Sequence, residues 1–257
     1  MLDIHKAAII HKKAVIGDNV KIGPFAVIDE HVEVGAGTEI GPSVHITGWT
    51  KIGEGCKIHH GASLGNCPQH VDFRGEKSFL NIGKQNIIRE FVTIHRATGE
   101  GQSTTIGDDN FIMAYVHIAH NCKIGNHTII ANGSQLAGFV EVEDFAFISG
   151  LCPIHQFVRI GAYSMIGGGY RVPKDVPPYA LVADNPLRVC GLNIVGLRRH
   201  SFDNEAIEVL KQAFKIIFFS SFNTTQAIKE VHQNLPMTAE VNHLIEFIEK
   251  SKRGIIK

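Results

Sequence analysis

Net charge is the first thing this sequence lacks. Lys plus Arg and Asp plus Glu number 25 each among 257 residues. No overall field therefore draws the chain toward nucleic acid or an anionic membrane. Long apolar runs are also missing. The opening MLDIHKAAIIHKK has none, which argues against a signal peptide. No later stretch approaches the roughly 20 apolar residues of a membrane span. The expectation is a cytoplasmic protein. Five cysteines, an odd number with no C-x-x-C pair, argue against a disulfide framework. Aromatics are modest at 8%, whereas 26 glycines hint at many turns. The length suits one large domain, or one large and one small.

What is present is a repeat. Every sixth residue from Ile4 to Val172 gives 29 slots, and 26 of them hold Ile, Val or Leu. The misses are His70, Glu76 and Glu100. A helix of 3.6 residues per turn cannot hold a period of six on one face. Two residues before most slots lies a small or β-branched residue, as at Ala14, Val20, Ala26 and Val32. Residues two apart on a strand face the same way, so the small and the large residue both point inward. Gly often follows the large residue, as at Gly17, Gly35 and Gly53, and is expected to supply the turn. This is the hexapeptide repeat, a parallel solenoid with three strands and 18 residues per coil. Coils stack at about 4.8 Å. Cys56, Cys122 and Cys152 occupy small inward slots and read as packing; Cys67 and Cys190 lie outside them.

The repeat breaks twice, near 66–79 (NCPQHVDFRGEKSF) and near 97–104 (ATGEGQST). A solenoid that interrupts its core commonly builds a loop on the binding face. The β-helix is expected over 1–187, and a small helical domain over 188–257. Helices are expected over 203–219 with Asp203 as N-cap, over 224–232, and over 239–250 with Thr238 as cap. Arg198, Arg199, Lys211, Lys215, Lys252 and Arg253 are either ordinary surface charge or a basic dock for an acidic protein.

Within HIAHNCKIGN (117–126), His117 and His120 flank the inward Ile118, so both are expected to point outward. One coil on from His120 lies Gly138, and one further lies Gln156, beside His155. A histidine next to a bare backbone amide suits acyl transfer. The imidazole takes a proton from the attacking group, and the amide holds the oxyanion. The alternative is that these are surface histidines among 15.

HIAHN at 117–121, LAG at 136–138, HQF at 155–157 and GLNIVGLRR at 191–199 resemble the UDP-N-acetylglucosamine O-acyltransferases of lipid A biosynthesis. VTIHR at 92–96 and DVPPY at 175–179 extend the resemblance nearly end to end. The resemblance implies a left-handed parallel β-helix followed by helices, and a homotrimer with sites between subunits. It implies a 3-hydroxyacyl donor on acyl carrier protein, a UDP-amino sugar accepting at its 3-position, and a product destined for membrane lipid. No cofactor or metal is implied. By the same resemblance His120 is the general base and the Gly138 amide the oxyanion donor. His117, His155 and Gln156 line the sugar and acyl site, Gly168 sets acyl length, and Asn193 and Arg199 contact the nucleotide.

Departures cluster on the acceptor side. The first loop reads PQHVDF, with His70 where the family has an acid and Asp72 where it has a lysine. Arg74 carries a positive charge two residues further on, and Phe139 stands where a histidine is usual. The expected acceptor is therefore UDP-N-acetylglucosamine, its 3-amino analogue, or another nucleotide-linked amino sugar. Three other readings compete. The pathway's N-acyltransferase usually adds an N-terminal uridine-binding domain, for which a repeat starting at Ile4 leaves no room. A γ-carbonic-anhydrase type would hold zinc by three histidines, such as His117, His120 and His155. A non-catalytic scaffold would tolerate His120→Ala.

Overall fold

The computed structural model describes residues 3–257. Residues 3 to 166 wind as a three-sided prism of short parallel strands, a left-handed β-helix. The first sheet runs from Asp3–Ile4 to Met165–Ile166, the second from Ile9–Ile10 to Pro153–Ile154, and the third from Val15–Ile16 to Arg159–Ile160. The inward column is buried from Ile22 onward, with Ile46, Ile88, Ile112 and Ile118 fully enclosed. Each such side chain stabilises by about 1.5–3 kcal/mol through the apolar area it removes from water. The thiols of Cys56, Cys122 and Cys152 are buried in this core, and burial pushes all three up, Cys122 to about 12.

Coils pair 18 residues apart where the repeat is regular, as in Ile118 with Leu136. Across the first break Leu64 pairs with Ile94, 30 residues on, and across the second Ile94 pairs with Ile118, 24 on. The insertions are thus whole multiples of six residues, which is why the period resumes in phase. Both leave the prism at one edge, the turn from second sheet to third.

The glycines play a different part from the one expected. At the edge from third sheet to first they follow the large residue at 17, 35, 53, 83, 107, 125 and 161, yet none of these has a positive φ. The left-handed residue is two positions later, as at Gln85 (φ 56), Asp109 (φ 57) and His127 (φ 55). What excludes a side chain after the large residue is the next coil: a Cβ on Gly35 would lie 2.5 Å from the carbonyl carbon of Gly53. Close approach, not turn geometry, selects glycine there.

Beyond the coils the chain forms an antiparallel hairpin, Ala180–Ala183 with Arg188–Leu192, which extends the first sheet across residue 187. Four helices follow: α1 (Ile194–Arg199), α2 (Asn204–Phe219), α3 (Thr224–Asn234) and α4 (Ala239–Glu249). Asp203, Asn223 and Thr238 cap α2, α3 and α4. The hairpin and α1 went unrecognised because each is too short to show a period. Buried Asp175 of DVPPY ties helices to prism. It accepts from Arg159 N–H at 2.9 Å and from Ser251 Oγ at 2.7 Å. No helix among the described residues is long and apolar enough to cross a membrane.

Candidate active site

His120, Gly138 and Gln156 stack at the edge where both insertions leave the prism, and all three line one hollow of about 530 Å³. His117 and the first-loop residues Gln69, His70 and Val71 also line it. His120 does not point into the core, but neither is it open to water: only 5% of it is exposed. The His70 ring meets it edge-on at 5.0 Å and the Phe139 ring at 5.4 Å. Phe139 in turn stacks on Phe157 at 4.9 Å. The first loop is thus a cover over the imidazole.

Any side chain at Gly138 would have to displace the His120 ring. A Cβ there would lie 2.5 Å from His120 Cε1 and 2.7 Å from Nε2. Its N–H has no acceptor among the described residues. In three successive coils the equivalent amides on the glycine edge are satisfied: those of Lys84, Asp108 and Asn126 donate to the Oδ1 atoms of Asp108, Asn126 and Asp144 at 2.7–2.8 Å. In the coil above Gly138 the matching residue is Gln156, which makes no such bond.

The tautomer of His120 follows from its neighbours. Asn121 Oδ1 accepts from Thr98 N–H at 3.0 Å, and Asn121 Nδ2 donates to Thr98 O at 3.1 Å. Backbone donors and acceptors cannot exchange roles, so this pair orients the amide. His120 Nδ1, 2.8 Å from that same Oδ1, must then carry the proton. Nε2 is left with its lone pair beside Gly138. Burial holds the His120 pKa below the ordinary histidine value, the Asn121 bond opposing and nearby His70 adding. At neutral pH the ring is uncharged, with its one proton on Nδ1. His117 is also lowered, by burial and then His120, and its Nδ1 lies 2.7 Å from Thr93 Oγ1.

The remaining expected residues scatter. His155 is exposed, its Nδ1 3.1 Å from Gln156 O. Arg74 donates through Nη1 to Val71 O and Phe73 O, and its Nη2 lies 3.7 Å from Asp72, so that charge is spent within the loop. Neither Asp72 nor Arg74 lines the hollow. Gly168 lies on another edge, in an apolar recess with Tyr115, Gly133 and Leu151. Asn193 caps α1, accepting from Gly196 N–H and donating to Tyr163 O, while Arg199 is exposed. One chain therefore brings His120 and Gly138 together but leaves Gly168, Asn193 and Arg199 away from them. The residues that sequence reasoning passed over are Thr98, Glu76 and His95. His95 packs edge-on to His117 at 4.9 Å, with its pKa pushed down to about 4 by burial, His117 and His120. The one available signal was that Glu76 breaks the period of six.

Stacked hexapeptide coils define the class, a hexapeptide-repeat transferase, and the six-repeat pattern of bacterial hexapeptide transferases matches residues 13–48, 31–66 and 103–138. The pattern described as Udp N-acetylglucosamine O-acyltransferase, Domain 2, matches residues 175–256. Acyl-[acyl-carrier-protein]–UDP-N-acetylglucosamine O-acyltransferases from Thermodesulfovibrio yellowstonii and Burkholderia orbicola are 51% and 46% identical to this chain, each over the whole of both chains. The crystal structure of the UDP-N-acetylglucosamine acyltransferase from Bacteroides fragilis superposes with a TM-score of 0.95 at 41% identity, covering 98% of this chain and 99% of that one. The Campylobacter jejuni enzyme gives 0.93 at 38% identity, covering 99% of each. The chain belongs to the acyl-[acyl-carrier-protein]–UDP-N-acetylglucosamine O-acyltransferase family.

Proposed function

We propose that the protein transfers a 3-hydroxyacyl chain from acyl carrier protein to the 3-hydroxyl of UDP-N-acetylglucosamine, the first step of lipid A biosynthesis. The observation that carries the mechanism is a lone pair on His120 Nε2 beside the unpaired Gly138 amide. Nε2 takes the sugar hydroxyl proton as the oxygen attacks the thioester carbonyl. The Gly138 N–H holds the resulting oxyanion. The C–S bond then breaks, and the leaving thiolate receives the proton from His120. The positioned base contributes roughly 10²–10⁴ in rate and the oxyanion donor roughly 10²–10³. Orientation of two substrates supplies the rest.

A homotrimer completes the site, bringing the Gly168 recess and the Arg199 region of neighbouring subunits to the His120 edge. The scatter of these residues over different edges supports that arrangement. So do exposed Leu151 and Phe157 along two of the edges. Arg198, Arg199, Lys215 and Lys252 are exposed and form the dock for the acidic carrier protein, whereas Lys211 is paired with Glu208. Five free cysteines, two of them exposed, suit the reducing cytoplasm.

The test is turnover of a 3-hydroxyacyl carrier protein with UDP-N-acetylglucosamine, with its 3-amino analogue, and with His120→Ala. Transfer to the ordinary sugar that depends on His120 is expected. Clear preference for the amino sugar would replace the acceptor, and full activity of His120→Ala would remove the mechanism. Light scattering on the purified protein is expected to report three chains per particle.

A further inference from the structure

Glu76 belongs to the first insertion and Thr98 to the second, and they meet. Glu76 Oε1 accepts from Thr98 Oγ1 and from Gly99 N–H, both at 2.9 Å, and Oε2 accepts from Arg74 N–H at 2.8 Å. Among the described residues no cation pairs with this carboxylate. Its partners are a hydroxyl and two backbone amides from the two loops. The Gly99 N–H and the Thr98 carbonyl belong to one peptide plane and point opposite ways. Glu76 holds the N–H end. The carbonyl end is therefore aimed at Asn121, whose Nδ2 donates to it at 3.1 Å. The Asn121 amide is the group that decides which nitrogen of His120 carries the proton.

We propose that Glu76 is a positioning residue: by clamping the two loops together it holds the Thr98–Gly99 peptide so that Asn121 keeps His120 Nε2 free of a proton. Without the clamp the Asn121 amide can turn its NH₂ toward His120 Nδ1. Nδ1 must then accept, and the proton moves to Nε2, where it blocks the base. Asn121 needs such a lock because its two ends are chemically opposite, whereas a carboxylate accepts with either oxygen. The inference rests on the proposed role of His120 as base, but the orientation of the ring can be read without it.

The experiment compares the full-length protein with Glu76→Ala by ¹⁵N NMR of the His120 imidazole and by kcat, KM and the pH profile of acyl transfer. The parent is expected to show the proton on Nδ1. In Glu76→Ala a mixture of tautomers is expected, with kcat lower by about tenfold, the scale of one hydrogen bond, and KM little changed. The acid limb of the profile is expected to move to lower pH, since the Asn121 bond raises the His120 pKa. Adding Asn121→Asp to Glu76→Ala is expected to restore kcat to within about threefold of Asn121→Asp alone, because a carboxylate needs no lock. Glu76→Gln, with one acceptor oxygen kept, lies between parent and Glu76→Ala and serves if the alanine variant does not fold. An Nδ1-protonated ring in every variant overturns the proposal, as does a kcat loss that Asn121→Asp leaves unrelieved. A parent without acyl transfer would instead remove the functional reading, and the tautomer signal would still judge the clamp.

Discussion

Two edges of the same prism share a backbone and differ in what they do with it. On the glycine edge the amide two residues after the large residue donates to a side chain of the coil above, at Lys84, Asp108 and Asn126 in succession. On the histidine edge the equivalent positions are His120, Gly138 and Gln156, and the Gly138 amide is left unpaired among the described residues. In those coils the first edge spends its polar groups on itself and is a spine. The second keeps a donor and a base in reserve beneath a loop. Its insertions supply what the regular coils cannot, a cover over the imidazole and a lock on its tautomer.

The comparison is broken most severely by His120→Ala, which removes the proposed base and is expected to lower kcat by roughly 10²–10⁴ while the melting temperature holds. Steady-state turnover with a thermal melt checks this. Gly138→Ala comes next. Its Cβ would sit 2.5 Å from His120 Cε1 and push the ring off its place, so a fall in kcat of about 10² is expected with only a small change in stability. Retained activity would show that the ring has room to give. On the spine the effects reverse in kind. Gly35→Ala forces a Cβ onto the Gly53 backbone, which cannot move aside, and is expected to cost about 1–3 kcal/mol of stability in denaturant unfolding. Asn126→Ala removes the acceptor of the Asp108 amide and is expected to cost about 1 kcal/mol with kcat unchanged.

The smallest effect expected is on pH dependence of the clamp. Backbone donors from Gly99 and Arg74 hold the Glu76 carboxyl at about 2, well below its ordinary value. A carboxylate with a depressed pKa adds stability above its unfolded pKa and loses it as pH falls through the folded one. The loop contacts are therefore expected to persist at pH 4 and to weaken toward pH 2. Amide exchange protection at Gly99 would report this, and loss of protection already at pH 5 would contradict it.

The hexapeptide coils and their phase were legible because burial on a strict period leaves one residue class in each slot. Even the two insertions could be placed, since His70, Glu76 and Glu100 interrupt that class. The column of His120, Gly138 and Gln156 followed from 18-residue spacing alone. What the glycines were for was misread. A positive φ and a close approach both call for glycine, and only coordinates distinguish them. Arg74 offered a positive charge two residues on from Asp72, but loop carbonyls and Asp72 engage it.

Period, composition and spacing determined by themselves that this chain is a solenoid with a histidine and a glycine stacked on one edge. They could do so because strand stacking is a local rule repeated many times. Only the tertiary structure decided which imidazole nitrogen is free, since that depends on Thr98 and Glu76, which lie 22 and 44 residues before His120 in loops with no period. Hydrogen bonds between irregular segments are set by the direction of single atoms, and no pattern along the chain records those directions.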